Sequence, residues 1–269
     1  MSILICPVCG APLTETKSNF CCPQNHSFDK AKEGYVNLLL SGKSGDLKGD
    51  NKEMARSRRD FLNKGFYSPL AEAVSDCIEK LGTEGDTVLD ICCGEGYYTE
   101  YASKNNKRNY YGFDISKNMI RLAAKRRCGA SFFVANIASI PITDNSVSLA
   151  FHLFAPFHEE EFSRVLKQDG TLMTVIPGRE HLYGLKKVLY STPYYNDEQP
   201  PQTTVLHRYD TLRVRADLRL ENREDISALF RMTPYFYHTP SEGMDRLNRL
   251  DVLETEIDFL LLLYKKKYQ

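Results

Sequence analysis

From Val88 onward, short apolar runs alternate with amphipathic stretches, separated by a few polar or glycine-bearing positions. That rhythm predicts a doubly wound α/β sheet, whose strands, buried on both faces, read as continuous apolar runs. Runs at 88–91, 110–113, 131–135, 147–154 and 171–176 predict five successive strands. Helices are predicted after Tyr97, from a Ser116 cap to Arg126, and over 159–166, with Lys167, Gln168, Asp169 and Gly170 as a turn. Further on, Arg213, Arg215 and Arg219 alternate with Leu212, Val214, Ala216, Leu218 and Leu220, the period of a strand with one exposed face. A helix after Asn222 and a last apolar strand centred on 259–264 complete the pattern.

Upstream the pattern changes. Residues 41–50 are polar and glycine-rich and predict a flexible loop. Residues 52–62 turn helical and basic, with Arg56, Arg58 and Arg59, and Gly65 stops that helix before the next begins at Phe66-Tyr67-Ser68-Pro69-Leu70. The chain thus divides into an N-terminal module (1–40), a basic linker and helix (41–69) and an α/β body (70–269).

Composition sharpens this picture at three points. A hydrophobic content of 42% and a charged content of 26% belong to an ordinary cored protein. No apolar run is long enough to span a membrane, and the first residues lack a signal peptide's basic start and apolar core, so no membrane partner is expected. Eight cysteines without an export signal point to a reducing, cytoplasmic setting, where clustered thiols bind metal more often than they pair. The 35 basic and 35 acidic residues cancel, so a nucleic-acid partner requires local clusters of bases. Candidates are Lys52 to Arg59, Lys125-Arg126-Arg127, and the set Arg208, Arg213, Arg215 and Arg219. A solvated polar face accounts for the arginine set equally well.

The candidate chemistry lies where the first predicted strand ends. Val88-Leu89-Asp90-Ile91 leads into Cys92-Cys93-Gly94-Glu95-Gly96 and then into a helix start, the place where open α/β sheets bind nucleotide-like ligands. Gly94 and Gly96 let backbone approach a ligand without a Cβ in the way. Asp114 ends the second strand, roughly 20 residues on, where an acid can accept both ribose hydroxyls. Thr99 stands where a dinucleotide fingerprint needs a third small residue, and no Lys-Ser or Lys-Thr pair makes a P-loop. Asp-x-Cys-Cys-Gly-x-Gly followed by Gly-Phe-Asp instead resembles the first two motifs of the class I S-adenosylmethionine (SAM) methyltransferases. The first glycine usual in that family is Cys92 here, which is expected to keep φ negative. Asn136, after the third strand, is placed to touch the adenine or to cap its own loop. Leu153-Phe154-Ala155-Pro156 closes the fourth strand, on the edge where substrate usually meets the methyl group.

The N-terminal module carries C-x2-C-x12-C-x3-H in Cys6, Cys9, Cys22 and His26: three sulfurs and an imidazole, a closed tetrahedral set suited to structural zinc. Cys21 competes with Cys22 for the third position; Cys-Pro opens both knuckles, which favours Cys22. With few large apolar side chains, the module is expected to depend on the metal to fold.

Together, Cys-Pro-x-Cys, Cys-Pro-x-x-His, Ala31-Lys32-Glu33-Gly34-Tyr35-Val36-Asn37-Leu38, Arg58-Arg59-x-Phe61-Leu62, the SAM loop and Met232-Thr233-Pro234 resemble the bacterial 23S ribosomal RNA guanine-N1 methyltransferases of the RlmA type, over essentially the whole chain. The resemblance implies a class I methyltransferase body with a zinc module, SAM and zinc as cofactors, and methylation of N1 of a guanine in hairpin 35 of 23S rRNA. It also implies a homodimer, and a cleft between zinc module and body. It supports Cys6, Cys9, Cys22 and His26 as zinc ligands, and Gly94 and Glu95 as part of the SAM loop. Tyr67 matches a tyrosine that touches the cofactor, and His181 a histidine beside it. From the residues alone, Tyr67 reads as a core aromatic and His181 as a helix-start residue. No residue is singled out to remove the N1 proton; His152, His158 and Glu159-Glu160-Glu161 lie near the fourth strand's edge, where a charged helix start also explains the glutamates. The alternative is a SAM enzyme acting on a small molecule, with the zinc module as a lid.

Overall fold

The computed structural model describes residues 2–40, 52–104 and 107–267. The loop expected over 41–50 and the side chain of Lys52 lie outside the described residues. The N-terminal module contains β1 (Thr14–Glu15), β2 (Asn19–Cys21), β3 (Ser27–Asp29) and β4 (Val36–Asn37). Helices α1 (Lys52–Asn63) and α2 (Ser68–Leu81) lead into β5 (Thr87–Ile91), α3 (Tyr97–Ser103), β6 (Asn109–Asp114), α4 (Lys117–Lys125), β7 (Ser131–Val134), β8 (Val147–Leu153), α5 (Glu159–Val165) and β9 (Leu166–Pro177). Then follow α6 (Tyr183–Leu189), β10 (Leu206–Leu220), α7 (Arg223–Arg231), α8 (Ser241–Asn248) and β11 (Leu253–Lys266).

Among the described residues, eight strands form one sheet in the order β10-β11-β9-β8-β5-β6-β7-β4. The stretch from β4 to β9 is parallel, and β11 runs antiparallel to both β9 and β10. The five predicted strands are β5 to β9. The expected turn at 167–170 lies inside β9, because Val147 pairs with Leu166 and Leu149 with Thr171, so those four residues bulge out of one ladder. Ser116 caps α4 by accepting from Met119 N–H, and Asn222 caps α7 by accepting from Asp225 N–H.

Alternation along each strand sends neighbours to opposite faces, so the sheet divides two cores. Val88, Leu149, Phe151 and Val175 join the core built on Leu70, Val74 and Ile78 of α2. Leu89, Ile91, Ala150 and Leu172 face the other way, and there they meet Leu4, Leu13, Phe20, Val36 and Leu38 of the N-terminal module. The module therefore has more than a metal to hold it. β4 pairs in parallel beside β7, Leu4 bridges Ile142, and Ile5 N–H donates to Pro141 O at 3.0 Å.

Candidate active site and metal centre

β5 has β6 on one side and β8 on the other, so the chain reverses direction there and leaves a crevice at the strands' C-terminal ends. A cavity of about 370 Å3 occupies that crevice. Asp90, Gly94, Glu95 and Tyr98 wall it from the β5 turn and α3, and Leu153 and Phe154 from the end of β8. Pro177, His181 and Leu182 enter after β9, Tyr67 from the start of α2, and Arg58 and Leu62 from α1. Met232, Thr233, Pro234 and Tyr235 roof it from beyond α7.

The β5 turn corrects one expectation. Cys92 adopts φ +57, the left-handed region, where a side chain costs roughly 1–2 kcal/mol and glycine almost nothing. The turn geometry overrides the residue, because Cys93 N–H must donate to Phe113 O (2.8 Å) while Gly96 N–H returns to Cys93 O (3.0 Å). Phe154 (φ +56) and Leu182 (φ +56) are equally left-handed and line the same cavity. Backbone strain of this kind concentrates at functional sites.

Asp90 is buried and accepts from Thr99 Oγ1, which ties the strand end to α3. Burial raises its carboxyl well above the usual range despite that bond. Burial also raises the Glu95 carboxyl; Arg126, and more weakly Arg59, oppose the shift. Arg126 Nε donates to Glu95 Oε2 at 2.9 Å and to Glu95 O at 2.8 Å, and its guanidinium also reaches Glu100 and Asn63. Glu95 Oε1 and Tyr98 Oη are buried without a hydrogen-bond partner among the described residues.

Tyr67 and His181 come to the cavity with Phe259 between them. Tyr67 meets Phe259 edge-on at 5.5 Å, and the His181 ring lies 4.3 Å from the same phenyl. Asp258 N–H donates to His181 Nδ1 at 3.4 Å, leaving the ring proton on Nε2. Burial drops the His181 pKa to about 3, against the pull of Asp258, so the imidazole is neutral. Gly96, Asp114 and Asn136 do not line the cavity. Gly96 (φ +80) stands where a Cβ would meet Ala123 at 2.9 Å, so it packs α3 against α4. Asp114 lies behind the turn, accepting from Gly94 N–H at 3.1 Å and Ser116 N–H at 2.8 Å. Asn136 caps its own loop by accepting from Ala138 N–H at 3.0 Å.

The groups suspected near the β8 edge have other work. His152 is a core residue whose Nε2 meets Pro156 O at 2.9 Å and whose pKa burial lowers to about 4. Glu159 accepts from the amides of Thr204, Val205 and Leu206, and Glu161 pairs with Arg164. None of the three lines the cavity. Sequence reading missed Lys186 and Asn196. Lys186 is fully buried, and Asn196 reaches the cavity wall. Both sit in stretches without a motif, and only the fold brings them together.

In the N-terminal module, Cys6, Cys9, Cys22 and His26 bring one ligand atom each to within 4.8 Å of one another. Cys9 and Cys22 sulfurs are 3.6 Å apart, and His26 Nδ1 lies 3.5 Å from Cys6 Sγ and 3.4 Å from Cys22 Sγ. A tetrahedral zinc with its usual bond lengths needs edges of about 3.7 and 3.5 Å, so the donors fit that metal. Cys21 is excluded by strand alternation: it turns to Asn19 Oδ1 (3.4 Å), while Cys22 turns inward.

The basic clusters separate into two kinds. Arg56 and Arg59 of α1 face Arg121 and Lys125 of α4 across a cleft of about 330 Å3. Arg121 pairs with Glu33 of the zinc module. The β10 arginines are largely spoken for, with Arg213 and Arg215 on buried Asp258 and Arg219 on Glu221 and Glu254.

Residues 4–41 match the zinc-ribbon family described as RlmA, N-terminal, and residues 88–170 match a methyltransferase domain. The chain is 33% identical over 190 residues to the 23S rRNA (guanine(748)-N(1))-methyltransferase of Streptomyces fradiae, covering 69% of this chain and 67% of that one. It is 35% identical over 203 residues to a Micromonospora griseorubida protein provisionally named a 23S rRNA (guanine-N(1)-)-methyltransferase, covering 68% of each. The chain belongs to the RlmA-type 23S rRNA (guanine-N1)-methyltransferase family. YxjB of Bacillus subtilis (strain 168), which carries the same provisional name, aligns over 98% of both chains at 28% identity. Membership in the RlmA type joins the two halves of the structure: a zinc ribbon and a class I SAM-dependent methyltransferase body. No helix among the described residues is long and apolar enough to cross a membrane.

Proposed function

We propose that this enzyme methylates N1 of a guanine in hairpin 35 of 23S ribosomal RNA, in the cytoplasm, as a homodimer. The observation that carries the reading is the adjacency of the cavity and the basic cleft. Helix α1 walls both, offering Arg58 to one and Arg56 and Arg59 to the other. Arg59 is near enough to act on the Glu95 carboxyl. A phosphodiester chain held by the cleft therefore delivers its bases toward the cavity.

The cavity fits SAM by its chemistry as well as its place. Glu95 Oε1 and Tyr98 Oη offer two unused acceptor positions, suited to an ammonium and hydroxyls. Tyr67, Asp90, Gly94, Glu95 and His181 would hold the cofactor, with Gly96 packing α3 against α4 behind the turn. Asp114, which accepts from the Gly94 and Ser116 amides, would brace the turn against which the cofactor lies. Bound there, SAM supplies a methyl group on a cationic sulfur. The neutral His181 ring adds no second positive charge beside it. The aromatic and apolar walls exclude water and fix the approach of the acceptor nitrogen. Guanine N1 lies on the Watson–Crick edge, so the base must be unpaired before it can enter. The zinc ribbon, joined to the cleft by the Glu33–Arg121 pair, helps to bind the RNA.

Purified protein given labelled SAM and unmodified 23S rRNA tests this reading. The expected result is label confined to one guanine of the hairpin, seen as a stop in primer extension. Turnover on metabolites with no label in RNA would overturn it in favour of a small-molecule enzyme. Light scattering at the mass of one chain would remove the homodimer.

A further inference from the structure

Phe154 breaks two rules at once. The residue is 51% exposed, although it is large and aromatic, and its backbone is left-handed, which a bulky residue adopts only at a cost. The surroundings maintain this conformation. Two residues before it, core residue His152 meets Pro156 O, which clamps the return of the chain. On its inner side the Phe154 ring rests against fully buried Phe259 at 5.3 Å, and Phe259 is itself backed by His181 and Tyr67. Phe154 is thus the open end of a supported row of rings. It lines the cavity at the end of β8, across the crevice from the β5 turn.

We propose that Phe154 is the stacking face for the target base, a subsite that takes a planar, uncharged nucleobase. Resting on the RNA reading above, that base is the guanine to be methylated. An aromatic face accepts any base without consuming its hydrogen-bonding edge, so N1 stays free for the methyl group. The rigid row behind Phe154 holds the ring in place, and the base then moves little relative to the donor. The left-handed backbone places the ring at the cavity wall with its inner side on Phe259.

The test uses Phe154→Ala, Phe154→Tyr and Phe154→Gly in the full-length, zinc-loaded protein. RNA fragments of the hairpin carry either guanine or the fluorescent purine 2-aminopurine at the target position. Loss of one stacked base corresponds to a fall on the order of ten- to hundredfold in RNA affinity or turnover. The alanine variant should show that loss with SAM affinity unchanged, and the tyrosine variant should restore it. Wild-type protein should quench the 2-aminopurine on binding, and the alanine variant should not. Phe154→Gly should melt no lower than Phe154→Ala, because glycine relieves the left-handed strain, yet be as inactive. An alanine variant with wild-type RNA affinity, turnover and quenching overturns the subsite and leaves the RNA reading intact. A wild-type protein that neither binds nor methylates the hairpin overturns both.

Discussion

The Lys186 ammonium donates to the Asn196 side-chain carbonyl at 2.6 Å, and the Asn196 amide nitrogen passes the link on to Gly178 O (2.9 Å) and His181 O (3.1 Å). A fully buried amine thus pins the turn that carries His181 to the cavity. Among the described residues no carboxylate pairs with it; it lies over the Tyr194 ring at 4.1 Å and the Tyr235 ring at 5.5 Å. Burial lowers its pKa from 10.5 to about 8. The unfolded chain therefore binds more protons between pH 8 and 10.5, and this group makes stability rise with pH across that window, by about 3 kcal/mol in all.

Lys186→Met should remove that rise. The difference in unfolding free energy between wild type and variant, followed by urea denaturation at several pH values, should shift in favour of wild type from pH 8 to 10.5. At pH 7 the variant loses a costly charge but strands the Asn196 oxygen, terms of opposite sign and about 1–3 kcal/mol each. SAM affinity should fall several-fold, because the His181 turn loses its tether.

Metal removal should reach beyond the ribbon. β4 is hydrogen-bonded to β7 and Leu4 bridges Ile142, so loosening the module frays one edge of the catalytic sheet. Cys9→Ser, or a strong chelator, should release zinc and lower the melting temperature by several degrees, an effect worth about 2 kcal/mol. Calorimetry should still detect SAM binding, since the cavity lies at β5 and β8.

Two substitutions in the β5 turn should behave oppositely. Gly96→Ala places a Cβ 2.9 Å from Ala123 in a left-handed backbone and should cost about 1–3 kcal/mol, with loss of SAM affinity. Cys92→Gly removes strain but loosens the unfolded chain and should stay within about 1 kcal/mol of wild type. Guanidinium melts of both, with SAM titrations, check the pair.

The α1–α4 cleft predicts a salt effect. Replacing Arg56 and Lys125 together with alanine should flatten the dependence of log K for RNA on log salt by about 1.4, some 0.7 for each lost single-strand phosphate contact. SAM affinity should hold. Filter binding across a salt series measures the slope, and an unchanged slope would move the RNA elsewhere.

Acid should find Asp258. Burial alone would raise this carboxyl, but Arg213, Glu180 N–H and Arg215 hold it down to about 2. Its folded value lies below the ordinary 3.8, so its contribution is complete above that pH and is lost as pH falls toward 2. Arg213→Ala should cost about 2–3 kcal/mol at pH 7, narrow the difference from wild type below pH 4, and leave RNA affinity alone. Thermal melts against pH supply the check.

The successive strands and helices of the body and the zinc set were legible because each rests on local pattern: apolar runs between glycine turns, and thiols spaced to close on one ion. What escaped was set by distant partners. Cys92 is left-handed because Phe113 and Gly96 dictate the turn, which no property of cysteine announces. Arg213 and Arg215 read as an open basic face, yet Asp258, more than forty positions away, claims them. Lys186 and Asn196 belong to no motif and acquire a role only where α6 meets the segment after it. Asp114 ends its strand as expected, while its carboxylate faces the back of the turn.

The parallel pairing of Val36 with Phe133 and Asn37 with Val134 makes the ribbon an extension of the catalytic scaffold. An element anchored by backbone ladders does not swing, so the span from the metal knuckles to the methyl donor behaves as a caliper of set width. On the proposed reading, in which the ribbon meets the RNA, choice among adjacent nucleotides would be set by how far along its loop the RNA is fed before its stem abuts the ribbon, and an insertion of one nucleotide should shift the modified position by one.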